Sequence, residues 1–174
     1  MKLNRIAILA ILAIFTVVLA GSASAFDLGF LGGSDSEPQQ VTVGGIDFSI
    51  PAGFTENEDY RMENESSSAG DDFYMSAAGF EDDSKQNAIY IMVADYGDYN
   101  VTDDIIAYVA DSMDGEKKTI NGHTGYVAKQ TSAESDSSML DVDDDVYVFI
   151  YEQDGDLVFI GATDQAYFDD VVVE

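Results

Sequence analysis

The chain has no cysteine, no tryptophan, one histidine, two prolines and only seven basic residues among 174. Each shortage excludes something. Without cysteine there is no disulfide framework, no thiolate nucleophile and no thiol-anchored metal or lipid, so stability has to come from an ordinary buried core. With one histidine, His123, a multi-histidine metal centre is excluded, and His123 beside a tight turn reads as an exposed strand residue. A nucleophile needs a base and an ordering partner, and the chain has no Gly-x-Ser-x-Gly stretch. An enzyme is therefore not expected.

The shortage of bases is set against 34 acids, a formal charge of −27. A surface of that sign repels nucleic acid and anionic lipid and attracts cations. High net charge also marks disordered chains, but 46% hydrophobic residues with 10 Tyr and 10 Phe argue for a packed domain coated in carboxylates.

One long hydrophobic run is present. Lys2 and Arg5 precede the apolar stretch Ile6 to Ala20, and Ala23-Ser24-Ala25 supplies small residues for cleavage, so residues 1–25 read as a secretory signal. The alternative, an uncleaved membrane anchor, would need roughly 20 apolar residues, and Gly21 and Ser22 interrupt this run sooner. Cleavage leaves 149 of the 174 residues, enough for one domain, and removes two bases, so the formal charge falls from −27 to −29. Residues 26–40, "FDLGFLGGSDSEPQQ", read as a flexible tether whose Phe26, Leu28, Phe30 and Leu31 could dock on the domain or a partner.

Residues 41–174 then read as a single α+β domain: a largely antiparallel sheet built from hairpins, with helices covering it. Gly44-Gly45, Asn121-Gly122 and Asp154-Gly155 are two-residue hairpin turns between alternating or apolar runs. Asp72 to Phe80 and Asn87 to Tyr96 are two further strands. Ile89 to Ala94 and Val146 to Tyr151 are apolar at nearly every position, so both faces of those strands need cover. A helix is predicted from Thr102, with Asp103 and Asp104 at its positive end and Ile105, Ile106, Val109 and Met113 at helical spacing. A second is predicted from near Asp164, with Tyr167, Phe168, Val171 and Val172 on one side. The polar run 55–72 is expected to be a long loop.

This order of elements, with "FSIPAGF" (Phe48 to Phe54), "INGHTGYV" (Ile120 to Val127) and a long hairpin over Tyr147 to Ile160, resembles the PsbP and DcrB-like α/β sandwich group. It is also similar to small secreted archaeal proteins of unknown function. The resemblance implies an extracytoplasmic, non-catalytic module.

Four kinds of candidate site follow from the residues. Asp141, Asp143, Asp144 and Asp145 in "DVDDDV" could bind a hydrated divalent ion such as calcium, with an acidic solvated loop as the alternative. An EF-hand is excluded, because position 6 is Val146 instead of Gly, and a strand through Glu152 would carry it on the order of 20 Å from Asp145. Asn64-Glu65-Ser66 and Asn100-Val101-Thr102 are glycosylation sequons, with Thr102 also required as a helix cap. Carboxylate pairs such as Asp103/Asp104 or Asp169/Asp170 could serve glycoside hydrolysis if a cleft held them, and Tyr96 with Tyr99 could form an aromatic contact. The function expected is an exported, very acidic binding or cell-surface module with an unknown extracellular or envelope partner. Nucleic acid is excluded as a partner, and the membrane is met only through an uncleaved signal segment. A calcium-dependent surface protein is the alternative, and a carboxylate-pair hydrolase the third reading.

Overall fold

The computed structural model describes residues 37–66, 74–84, 86–130 and 145–174. Two strands, β1 (Gln39–Val43) and β2 (Ile46–Ile50), form a separate hairpin. The others are β3 (Phe54–Ser66), β4 (Tyr74–Asp82), β5 (Ala88–Asp95), β6 (Glu116–Ile120), β7 (His123–Gln130), β8 (Val146–Gln153) and β9 (Asp156–Ala162). They make one antiparallel sheet in the order β3-β4-β5-β9-β8-β7-β6. Two meanders, β3 to β5 and β6 to β9, thus meet in the middle at β5 and β9. Helix α1 (Asp103–Asp111) carries the chain from the first meander to the far edge, and α2 (Tyr167–Val171) closes it.

The period of two decides where each side chain goes. Along β5, Ile89, Ile91 and Val93 enter one core and Ala88, Tyr90, Met92 and Ala94 the other. On the first face Phe149, Tyr151, Val158 and Ile160 meet Val43, Ile46, Phe48 and Ile50 of the hairpin and Phe168 and Val171 of α2. On the second, Val148, Ile150 and Phe159 meet Ile106 and Val109 of α1.

The expectation of an α+β domain with helices covering the sheet is corrected by this arrangement. The fold is dominated by the sheet: the helices have nine and five residues, and the first face is covered mainly by the β1–β2 hairpin. Two pieces of physics mislead a reading by pattern. A hairpin with one apolar side covers a sheet as well as a helix does. And the polar run expected as a loop over 55–72 is strand β3 as far as Ser66. Among the described residues the edge strand β3 has one neighbour and packs Phe54, Tyr60 and Met62 inward, and the charges on the rest protect its open side. Its register against β4 slips between Asn57 and Met62 and again between Met62 and Glu65. Bulges of this kind bend and twist an edge away from further pairing.

The three predicted hairpin turns are present, each with both central residues at positive φ: Gly44 and Gly45 at 57° and 85°, Asn121 and Gly122 at 44° and 87°, Asp154 and Gly155 at 56° and 94°. Thr102 precedes α1 in an extended conformation, but its hydroxyl makes no capping bond.

Candidate functional site

At one end of the sheet the β1–β2 turn lies against the ends of β3, β4 and β5 and leaves a half-open groove of about 460 Å³. Gly44 makes this possible. A Cβ there would stand 2.8 Å from the Val93 side chain, so although Asn121 and Asp154 take a similar φ in the other two turns, only glycine fits at this one. The turn therefore lies flat on Val93, which with Ser76 is a buried part of the groove lining, while the exposed Arg61, Glu63, Asn64 and Asp95 stand at the rim.

Arg61 is held in place by acids. Its Nη1 donates to Glu56 Oε1 at 3.1 Å, and its Nη2 and Nε donate to Glu63 Oε1 at 2.7 and 3.1 Å. The hydrogen bond to Glu63 and the two negative charges raise its pKa above the usual value despite partial desolvation. With the guanidinium occupied by two carboxylates and Asp95 beside them, the rim is net negative. It suits a cationic or neutral polar group and disfavours an anion.

A second acidic locus adjoins it. Asp156 opens β9, and Asp95, Glu152 and Asp154 surround it. Partial burial, followed by repulsion from Asp95, Asp154 and Glu152, pushes its pKa up to about 6. Glu152 Oε1 accepts the Gly155 N–H at 2.8 Å and Asp95 Oδ1 accepts the Gly97 N–H at 2.6 Å, so both neighbours are fixed in place.

Between pH 4 and 6 the folded state holds a proton that the unfolded state has released, so stability falls as pH rises through that window and stays lower above it. Asp156→Asn removes the repulsion. It is expected to raise the unfolding midpoint at pH 7.5 by an amount worth under about 1 kcal/mol, the site being solvent-screened, and to leave it unchanged at pH 3.5. Thermal melts of both proteins at the two pH values check this, and an equal gain at both would contradict it.

The residues singled out in the sequence are scattered over the fold. Asp141, Asp143 and Asp144 lie outside the described residues. Asp145 is half-exposed and ion-paired to Lys129, whose ammonium also lies 5.7 Å from the centre of the Tyr147 ring. Val146, at the EF-hand's glycine position, is buried as the first residue of β8, and Glu152 lies in the same strand. Among the described residues no group of three or more His, Asp or Glu is placed to hold a metal ion.

His123 opens β7, where its Nε2–H donates to the Val173 carbonyl at 3.1 Å and its ring lies 5.0 Å from that of Tyr151. That role ties the segment after α2 to the sheet. Asp103 and Asp104 on α1, and Asp169 and Asp170 on α2, are exposed sequence neighbours, and adjacent helical residues do not face each other. Tyr99 is 57% exposed, while Tyr96 beside it is half-buried, its phenol pushed up by desolvation. Asn64 and Asn100 are both exposed.

The groove itself was missed in the sequence. Its one signal is Arg61, a lone cation within the acids Glu56, Glu58, Asp59, Glu63 and Glu65. The chain matches no family model, no curated protein and no solved structure.

Proposed function

We propose that the protein is an exported, non-catalytic acidic module that works by presenting its surface to an extracellular or cell-envelope partner. The observation that carries this reading is the separation of charge from core. Among the described residues no charged side chain is buried, the buried ones with a polar group are Ser76 and the tyrosines Tyr90 and Tyr151, and the described carboxylates all remain at least partly exposed. Both faces of the sheet are sealed by apolar cover, so the carboxylates are available to solvent, to cations and to a partner. The groove beside Arg61 is the concave element of that surface. Its net negative rim is compatible with a cationic or polar contact.

Fractionation of the native host tests the export. The protein is expected outside the cytoplasm with Phe26 as its first residue. A cytoplasmic protein that retains residues 1–25 would overturn the reading.

A further inference from the structure

The chain carries two glycosylation sequons, and the fold treats them differently. Asn100 is engaged in packing: its Oδ1 would be 2.9 Å from a Cβ on Gly155, so the amide lies directly over the Asp154-Gly155 turn. Val101, the middle residue, is buried, and its N–H donates to the Gly155 carbonyl at 2.9 Å. The Thr102 carbonyl accepts the Ile105 and Ile106 N–H groups that begin α1. All three residues of this sequon are thus fixed between a turn and a helix.

Asn64, Glu65 and Ser66 are all exposed, at the end of edge strand β3, which among the described residues pairs with β4 alone. Asn64 sits in a bulge at φ 48°, with its backbone N–H donating to Ser76 Oγ at 3.0 Å. The bulge lifts this residue out of the regular ladder. A transferase must draw the acceptor amide into its own active site together with the hydroxyl two residues on, and an exposed strand end gives it room to do so.

We infer that Asn64 carries an N-linked oligosaccharide and that Asn100 does not, an inference that rests on the export proposed above. In the transfer the Asn64 amide nitrogen attacks the anomeric carbon of a lipid-phosphate-linked oligosaccharide. The new bond joins nitrogen to carbon, the carbon–oxygen bond to phosphate breaks, the lipid phosphate leaves, and the amide proton passes to a base of the transferase. A sugar chain there stands over the open edge of β3 and beside the groove rim. It adds to the charges that keep this edge from pairing with another chain.

An asparagine at positive φ has a rival explanation, since Asn tolerates the left-handed region better than other non-glycine residues. The experiment separates the two. The full chain is expressed in its native host and recovered from each cell fraction, and intact mass and glycopeptide spectra are recorded. The expected result is one glycan on the peptide containing Asn64, none on Asn100, and complete loss of the added mass in both Asn64→Gly and Ser66→Ala. Asn64→Gly preserves the backbone geometry, and Ser66→Ala preserves the asparagine, so their shared loss of mass assigns the modification to the sequon. Exported protein with bare Asn64, or a glycan on Asn100, overturns the inference and leaves the export standing. Unmodified protein found in the cytoplasm with residues 1–25 retained overturns both.

Discussion

Phe149→Ala is expected to cost about 3–5 kcal/mol of folding stability. Phe149 is fully buried at the middle of β8, stacked on Tyr151 with ring centres 4.9 Å apart and 5.9 Å from the ring of Phe168. It therefore touches the element that closes the chain as well as its own strand, and the hairpin residues Phe48 and Ile50 fill the same core. Removing the ring leaves a cavity that three separate elements would have to shift to fill. Because a domain of this size is stable by only about 5–15 kcal/mol, the variant is expected to unfold at a markedly lower urea concentration. Tyr108→Ala, at a site 51% exposed on α1, is the control and is expected to change stability by less than about 0.5 kcal/mol. A loss below about 1.5 kcal/mol for Phe149→Ala would mean that the first core is not the one described.

The second large effect is an overpacking one. Gly125 lies in β7 opposite Tyr151, and a Cβ on it would overlap the Ile150 carbonyl oxygen and stand 2.8 Å from both the Phe149 ring and the Tyr151 Cβ. A side chain could swing aside, but a carbonyl in the middle of a ladder cannot. Gly125→Ala is expected to cost roughly 3 kcal/mol, read in the same urea titration. Gly122, three residues earlier, gives the internal comparison. Nothing lies within 4 Å of its missing Cβ, and its φ of +87° is the sole obstacle. There alanine is expected to cost about 1–2 kcal/mol, through backbone strain alone. Equal costs at the two positions would contradict the packing argument.

The parts of this fold legible in the sequence are those in which one residue type has one structural use. Asn121-Gly122 and Asp154-Gly155 specify hairpin turns because few other pairs accept positive φ twice in succession, and the structure has them there. Ile89 to Ala94 is apolar on both sides because β5 lies near the middle of the sheet, between β4 and β9. Residues 55–66 were illegible for the opposite reason. An edge strand owes its conformation to its neighbour's hydrogen bonds, and its composition is chosen against further pairing, so it reads as loop. The cover on the first face was misjudged because local pattern does not say which segment folds back over a sheet. The groove was invisible for the same reason: Gly44, Arg61, Ser76 and Asp95 come from four strands or turns and meet only through register.

An excess of acids over bases is the property on which the proposed function depends. With Arg61 bound to Glu56 and Glu63, and Lys129 to Asp145, few cations remain on the chain for its other acids. Mutual repulsion among them must be screened from outside.

The direct measurement is the thermal unfolding midpoint of the purified chain, titrated with sodium chloride and with calcium chloride at matched ionic strength. The account predicts a midpoint that climbs steadily with salt in both series, without a saturating step, and equally in Asp143→Asn/Asp145→Asn. A calcium-specific increment that saturates with concentration and vanishes in that double variant would contradict it. The residues from Asp141 to Asp145 would then be a binding site whose occupancy stabilises the native state.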